Sequence, residues 1–313
     1  MNPLRIVFMG TPSFSLPALQ MLHVAGYEIA GVITQPDRPQ GRGQIAAAPA
    51  VKILAEKLEL PVFQPENIRE ETSMEIIKSL SPEMIVVAAF GQILPKKILD
   101  IPPRGCLNIH PSLLPKYRGA APINWTLIKG ETKTGVTIML MDVGMDSGDI
   151  LTQQETDIIA GENFGHLQDR LARLGAQLLL STIDQFIAGA IDPRPQDKEA
   201  VTFAPRLTKE TGKINWHESA VNIYNLIRGL SPAPGAYSFL NEKMIKIYAA
   251  EPLVEETNKT PGTIVEVAKD IIKVATGDGL LLLKEVQLAG KKKMPVQDFL
   301  RGYQIKTNAA FGS

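Results

Sequence analysis

Short apolar runs alternate with amphipathic segments over the first half of the chain. The stretch from Arg5 to Gly10 predicts a strand, and the spacing of Leu16, Leu19 and Leu22 after it predicts a helix. Further strands are predicted at Glu28 to Thr34, Met84 to Phe90, Cys106 to His110 and Gly135 to Met141, with a helix at Ile68 to Leu80. Strands separated by helical crossovers form a mostly parallel sheet, so we expect an α/β, Rossmann-like domain.

The most apolar of these runs is Met84 to Phe90, which has no polar residue at all. Such a run is typical of a central strand that is buried on both faces. In open parallel sheets, ligands bind at the carboxyl ends of the strands. We therefore expect a binding site in the loops that follow Phe90 and His110.

The pattern changes in the second half of the chain. A long helix is predicted from Asn163 to Ala188, followed by a polar, proline-bearing segment that begins at Ile191. After a helix from Ser219 to Arg228, short strands with turn residues predict a small antiparallel β-barrel of the OB-like kind. Its predicted strands are Met244 to Tyr248, Thr263 to Val267, Ile271 to Ala275 and Leu280 to Val286. The predicted boundaries are residues 1–190 for the first domain, 191–206 for a linker and 207–313 for the barrel.

Length and composition agree with two globular domains. The chain has 313 residues, of which 44% are hydrophobic and 21% charged, and no apolar run is long enough for a membrane span. Its one cysteine, Cys106, excludes an intramolecular disulfide framework and leaves too few thiols for a zinc cluster. We expect a cytoplasmic protein without a metal centre and without membrane attachment.

Charge is balanced overall but not evenly distributed. Basic and acidic residues number 33 each, giving a formal net charge of zero. The part through Arg206 carries −3 and the remainder +3, and the basic excess is most concentrated at Lys291, Lys292 and Lys293. A basic surface on the second domain would suit a phosphate backbone, although such a triplet is also common in solvated hairpins.

Candidate chemistry lies at the end of the predicted strand Cys106 to His110. Period-two geometry places Asn108 and His110 on the same side of that strand. The loop after it has leucines between prolines, as expected of an ordered loop that shapes a pocket. A second loop, Met141 to Asp149, carries Asp142, Asp146 and Asp149, any of which could meet His110.

These strings resemble the signature of the folate-dependent formyltransferases. The resemblance rests on Asn108-x-His110, on the loop Ser112 to Ala120 with its Ser-Leu-Leu-Pro-x-Tyr-Arg-Gly-Ala order, and on Asp146. Over its whole length, the chain resembles the bacterial members of this family. Their acceptor is initiator methionyl-tRNA, and their formyl donor is 10-formyltetrahydrofolate.

The resemblance implies a set of functional residues. Catalytic residues would be Asn108, His110 and Asp146. The reduced folate would be bound by three segments: Phe90, Gly91, Gln92, Ile93, Leu94 and Pro95; Ser112, Leu113, Leu114 and Pro115; and Asp142, Val143 and Gly144. For tRNA it implies Arg42, with Arg38 on the same long loop. The basic cluster Lys291, Lys292 and Lys293 would be a second tRNA surface, predicted from charge. No metal is implied, and we expect a monomer.

The side-chain types suit formyl transfer. Asn108 and a protonated His110 could stabilise an oxyanion, while Asp146 could orient the imidazole and help the attacking amine lose its proton. The site alone leaves other functions open: transfer to a small amine or a nucleotide sugar, hydrolysis that releases formate, or a noncatalytic folate- or RNA-binding module. About 105 residues after the linker would have no use with a small acceptor, which favours tRNA.

Overall fold

The structure is a computed structural model that describes residues 4–40 and 45–312. The chain divides into two compact units, and neither is one continuous segment. The first unit contains Met1–Gly119, Lys133–Asp157 and Gln168–Ala204. The second contains Ala120–Thr132, Ile158–Leu167 and Pro205–Ser313. The predicted linker at residues 191–206 stays a prediction.

Strands and helices alternate in the first unit, whereas strands dominate the second. The strands are β1 Arg5–Gly10, β2 Glu28–Ile33, β3 Arg38–Gln40, β4 Ile45–Ala47, β5 Val62–Phe63, β6 Met84–Ala88, β7 Cys106–His110, β8 Arg118–Gly119, β9 Lys133–Leu140, β10 Ile150–Asp157, β11 Phe203–Ala204, β12 Ala236–Leu240, β13 Lys243–Leu253, β14 Ile264–Ala268, β15 Ile271–Ala275, β16 Leu280–Leu288 and β17 Met294–Pro295. The helices are α1 Leu16–Val24, α2 Ala50–Lys57, α3 Glu71–Ser79, α4 Lys96–Leu99, α5 Pro122–Ile128, α6 Phe164–Ile187, α7 Ala220–Gly229 and α8 Val296–Gly302.

The first unit is built on a sheet that, over the described residues, has seven strands in the order β10-β9-β7-β6-β1-β2-β5. The pairs from β7 to β5 are parallel, and β9 is antiparallel to both β7 and β10. The Rossmann-like, mostly parallel sheet predicted from the sequence is therefore confirmed. Because the chain returns from β5 to β6 on the other side of β1, the strand order reverses at the centre of the sheet.

The central strands carry the core of the first unit. Every residue of β6 and of β7 is buried. Strand β6 ends at Ala88, two residues before the predicted Phe90, because Ala89 has a φ of 48° and cannot continue an extended strand. On one face α6 packs closely, since a Cβ at Gly175 would lie 2.7 Å from Cγ2 of Ile109. That close approach requires glycine.

The second unit is organised around an antiparallel sheet of six strands within the described residues. Residues close to the C-terminus bridge its two edges: Ala310 pairs with Thr263 before β14, and Phe311 pairs with Leu240 at the end of β12. The sheet thus closes on itself, as expected of the predicted small antiparallel barrel. Inside it, the rings of Trp216 and Phe311 stack with centroids 5.1 Å apart.

Helix α7 shows how a local sequence signal fixes an element of the second unit. Ser219 is its N-cap, and the Ser219 hydroxyl accepts a hydrogen bond from the main-chain N–H of Asn222 at 3.2 Å. Its apolar face contributes Ile223 and Ile227 to the core of this unit. In the described residues, no helix combines the length and apolarity needed to cross a membrane.

Candidate active site

Strand β7 presents two polar side chains at the carboxyl end of the parallel sheet. Asn108 pairs with Val87 of β6 and with Met139 of β9, and His110 pairs with Thr137. Alternate residues point to opposite faces, so Asn108 and His110 share the face opposite Ile109. Both are buried, with 9% and 3% of their surfaces exposed. Within the part of the chain that the structure describes, the side-chain amide of Asn108 makes no hydrogen bond, which leaves its N–H donors available to a ligand.

The imidazole of His110 lies between two oxygen atoms. Its Nε2 is 3.0 Å from the main-chain oxygen of Tyr117, and its Nδ1 is 3.7 Å from Oδ1 of Asp146. A carbonyl oxygen can only accept, so Nε2 carries the proton that bonds to Tyr117. In the neutral ring, the lone pair is then on Nδ1, the nitrogen that faces the carboxylate.

Burial lowers the pKa of His110 below its ordinary value of 6.5. The Asp146 carboxylate and the Tyr117 carbonyl raise this pKa, and the guanidinium of Arg118 lowers it, but the burial effect is the largest. Burial therefore favours the neutral form of the resting histidine. The role given to a protonated His110 in the sequence analysis, stabilising the oxyanion, stays a prediction.

Asp146 reaches His110 along an indirect path. Because β9 is antiparallel to β7, its last residue, Leu140, lies beside Leu107 near the start of β7. The loop after β9 must run back along the sheet before Asp146 meets His110. Asp146 has a φ of 51°, and its Oδ2 accepts a hydrogen bond of 2.8 Å from the main-chain N–H of Gly119.

The loop after β7 is held by its own hydrogen bonds. The hydroxyl of Ser112 is fully buried and donates to the main-chain oxygen of Lys116 at 2.6 Å. Thr137 donates to the Ser112 carbonyl and accepts from the N–H of Leu114. The Leu114–Pro115 peptide bond is cis. Ser112 and Leu114 thus shape the loop, while Leu113 and Pro115 are partly exposed.

The other predicted folate residues divide into buried and exposed groups. Phe90 and Leu94 belong to the core, whereas Gly91 is exposed and Ile93 is 64% exposed. Gln92 and Pro95 are partly buried, and Gln92 accepts a hydrogen bond from the N–H of Ile68 at 2.8 Å. A cavity of about 690 Å³ lies at this edge and is lined by Phe90 and Gly91, among others.

The segment Asp142–Gly144 is exposed. Asp142 accepts hydrogen bonds from the N–H of Gly144 at 3.0 Å and from the hydroxyl of Ser147 at 2.8 Å, so its carboxylate orders the loop. Val143 is 66% exposed and Met145 is 57% exposed. Apolar side chains at this exposure are available for contact with a ligand.

Comparison with known proteins identifies the family. The formyl transferase family model matches residues 4–183, and the model of the formyl transferase C-terminal domain matches residues 206–304. The methionyl-tRNA formyltransferase of Syntrophus aciditrophicus (strain SB) is 53% identical over 312 residues, covering 100% of both chains. The chain belongs to the methionyl-tRNA formyltransferase family. The corresponding protein of Citrifermentans bemidjiense is 48% identical, covering 100% of this chain and 98% of its own.

A solved structure agrees in fold. HypX from Aquifex aeolicus in complex with tetrahydrofolic acid superimposes with a TM-score of 0.67 at 18% identity. The match covers 98% of this chain and 50% of HypX, so the chain spans about half the length of that protein.

The residues predicted from the sequence to contact tRNA lie at several places in the chain. Arg42 lies outside the described residues. Arg38 is on β3, with 60% of its side chain exposed, and its Nη2 is 3.3 Å from Oε2 of Glu66. Lys291, Lys292 and Lys293 are exposed in the turn between β16 and β17.

Sequence reasoning missed the residues that hold Asp146 in place. Gly119 supplies an N–H to the Asp146 carboxylate, and Gln196, in the predicted linker, contacts the Asp146 carbonyl. No local pattern distinguishes a glutamine in a polar segment, because its contacts come from tertiary structure. Among the described residues, no group of three or more His, Cys, Asp or Glu side chains is arranged to hold a metal ion.

Proposed function

We propose that this protein transfers the formyl group of 10-formyltetrahydrofolate to the amino group of initiator methionyl-tRNA, giving N-formylmethionyl-tRNA for translation initiation. One observation carries the proposal: in a chain of this family, Asn108 and the buried His110 share one face of β7, and Nδ1 of His110 is 3.7 Å from the carboxylate of Asp146. The catalytic roles below are inferred from that geometry.

Asn108 supplies the electrostatic part of the reaction. When bound, 10-formyltetrahydrofolate supplies a formyl group whose carbon is attacked by the neutral amine of the acceptor. Asn108 donates a hydrogen bond to the formyl oxygen, and this bond strengthens as negative charge develops there. Donors of this kind act well in a buried site because they need no reorganisation during the reaction.

His110 moves the proton that formyl transfer displaces. The attacking nitrogen must lose one proton, and the leaving nitrogen of the folate must gain one. His110 accepts the first proton at Nδ1 and returns it to the leaving nitrogen when the carbon–nitrogen bond breaks. Asp146, 3.7 Å from Nδ1, stabilises the imidazolium formed between these steps. Protons balance, and the histidine ends neutral.

The exposed loops support a folate site. Ile93 and Val143 offer apolar surface on two segments that the resemblance assigns to the reduced folate, and the exposed Met145 lies next to the second. A flat heteroaromatic ring buries well against such side chains. HypX, which shares the fold, has been solved with tetrahydrofolic acid, and this agrees with the assignment.

The second unit supports a tRNA acceptor. Its exposed lysines at 291–293 are placed to contact phosphates, which position a nucleic acid without reading its sequence. A small amine without phosphates would need no such surface. We also propose that the protein works as a monomer in the cytoplasm, and light scattering at assay concentrations tests the first part.

A competition assay tests the function. Protein and 10-formyltetrahydrofolate are mixed with methionyl-tRNA, free methionine, a ribonucleotide amine and water as competing acceptors. We expect formyl methionyl-tRNA as the product and little free formate. The Asn108→Ala variant, assayed in parallel, controls for contaminating activity. Formylation of another acceptor, or formate release at a comparable rate, would overturn the proposal.

A further inference from the structure

Gln196 lies in the segment that the sequence predicts to be a linker, yet its side chain is buried at 8% exposure. Its Oε1 accepts two hydrogen bonds from Arg118, at 3.0 Å from Nε and 2.7 Å from Nη2. Its Nε2 donates to the main-chain oxygens of Asp146 at 2.9 Å and Gly148 at 2.7 Å. The amide thus uses both N–H donors and both lone pairs.

These bonds complete a closed ring around the catalytic carboxylate. Gln196 joins the guanidinium of Arg118 to the Asp146 carbonyl, and the next residue of β8, Gly119, donates its N–H to the Asp146 carboxylate. Strand β8 therefore holds Asp146 at two points, its main chain and its side chain. Strand β8 is itself fixed by pairing with β11, where Arg118 lies opposite Phe203.

Asp146 needs external restraint. Its φ of 51° is in the left-handed region, which costs conformational energy for a residue with a Cβ. Neighbouring Val143 and Met145 are largely exposed, so packing does not hold that side of the loop. Hydrogen bonds from Gln196 supply the restraint at the carbonyl of the strained residue.

Few side chains could replace this amide. A glutamate would keep the bond to Arg118 but would turn a carboxylate oxygen toward two carbonyl oxygens. A methionine would fill the same volume without any hydrogen bond. An asparagine is one methylene shorter and cannot span the same partners. The site requires a side chain of this length with two N–H donors and two acceptor lone pairs. This requirement indicates that Gln196 has a specific role beyond anchoring the predicted linker.

We propose that Gln196 is a positioning residue for formyl transfer, which holds Asp146 at the distance from His110 that the reaction requires. The inference rests on the proposed function. It differs from an anchoring role, because an anchor would affect folding but would not act through the Asp146 carboxylate.

The test uses Gln196→Met and Gln196→Glu in the full chain. We expect kcat for methionyl-tRNA to fall by up to about 100-fold in Gln196→Met, since misplacement of a reacting group by about 1 Å has that effect. KM for methionyl-tRNA should change by less than about threefold. Gln196→Glu should be at least as slow, although it retains a partner for Arg118. Gln177→Glu, the same chemical change at an exposed position of α6, is the matched control and should keep wild-type kcat.

A double-mutant cycle separates positioning from packing. In an Asp146→Asn background the charge that Gln196 positions is gone, so adding Gln196→Met should change kcat by less than about twofold. Equal fold-losses in both backgrounds would show that Gln196 acts independently of Asp146 and would overturn the inference. If Gln196→Met does not fold, the same double-mutant cycle is measured with Gln196→Glu.

Failure of this inference is distinguishable from failure of the proposed function. Wild-type protein that does not formylate methionyl-tRNA refutes the function. Wild-type protein that does so, with Gln196→Met and Gln196→Glu within about threefold of its kcat, refutes the role of Gln196 alone.

Discussion

Nδ1 of His110 and Oδ1 of Asp146 lie 3.7 Å apart, too far for a hydrogen bond and close enough for a strong Coulombic interaction. The other ring nitrogen bonds to the Tyr117 carbonyl. Each nitrogen thus faces an oxygen that stabilises the protonated ring, while burial opposes protonation. The balance suits a group that is neutral at rest and becomes charged only during the reaction.

This relationship predicts the pH dependence of catalysis. The neutral form of His110 is the active one, and burial lowers its pKa below 6.5. We therefore expect kcat/KM to have an acid limb set by the pKa of His110, below 6.5, and a further rise near neutral pH as the acceptor's α-amino group, with an ordinary pKa of about 7.7–8.0, loses its proton. In Asp146→Asn the carboxylate that raises this pKa is lost, so the acid limb should move to lower pH. Profiles of kcat/KM between about pH 4.5 and 8 measure both effects.

Exposed histidines provide the control for that experiment. His166 is exposed, and His166→Gln should leave the acid limb unchanged. Movement of the limb to higher pH in Asp146→Asn would contradict the assigned arrangement, because the loss of a nearby negative charge cannot favour an imidazolium.

We expect Asn108→Ala to slow the reaction without unfolding the protein. We expect turnover to fall by roughly 100- to 1,000-fold, the usual effect of removing one oxyanion donor. Stability should change little, since the Asn108 amide makes no hydrogen bond to any residue that the structure describes. Single-turnover kinetics and thermal unfolding measure the two quantities. Near wild-type turnover would remove Asn108 from the mechanism.

The sequence predicted the elements that depend on local pattern. Strand β7 is observed at Cys106–His110 and β15 at Ile271–Ala275, the predicted ranges. Each strand is a short run of alternating or consecutive apolar residues between clear turn signals. Neighbouring positions in the sequence are therefore enough to predict it. The long helix was predicted at Asn163–Ala188 and is observed at Phe164–Ile187.

Features that depend on tertiary contacts were not predictable in the same way. Strand β10 was missed because its residues after Leu151 are mostly polar, as expected at a sheet edge. From the sequence, Asp146 was expected near His110 because the two follow neighbouring strands. The sequence did not reveal that β9 is antiparallel to β7, or that the loop after β9 runs back along the sheet. The lowered pKa of His110 depends on how deeply the ring is buried, which only the packed structure establishes.

Gly119→Ala should disturb stability and catalysis together. Gly119 has a φ of 123°, and a Cβ there would lie 2.7 Å from the main-chain oxygen of Ala204. We expect a loss of about 1–3 kcal/mol in the free energy of unfolding, from the strained φ and the clash. Turnover should also fall, because displacement of β8 moves the N–H that bonds to Asp146.

Gly26→Ala is the matched control. Gly26 has a φ of 81°, but nothing lies within 4 Å of a Cβ built on it. Urea unfolding should therefore show a smaller loss of stability, and kcat should be unchanged. If both variants behave alike, the contact between β8 and β11 has no special role in holding Asp146.

The three lysines of the second unit should contribute unequally to tRNA binding. Nζ of Lys293 is 2.9 Å from Oε2 of Glu285 and 5.5 Å from the ring centroid of Tyr248. Its charge is already compensated by the protein. Lys291 and Lys292 are exposed and have no ion pair among the described residues. We expect Lys291→Ala with Lys292→Ala to weaken tRNA binding more than Lys293→Ala does.

The salt dependence of the affinity measures this difference directly. Each phosphate contact contributes roughly one unit to the slope of log K against log salt concentration, because it releases a condensed counterion. The double variant should therefore reduce the slope by up to about two units and Lys293→Ala by less than one. Lys78→Ala, an exposed lysine at the end of α3, controls for net charge. Because net charge alone does not change the number of phosphates contacted, that control should keep the wild-type slope. Identical slopes for all four proteins would mean that Lys291 and Lys292 contact no phosphates, and the tRNA surface would then have to be sought on other residues.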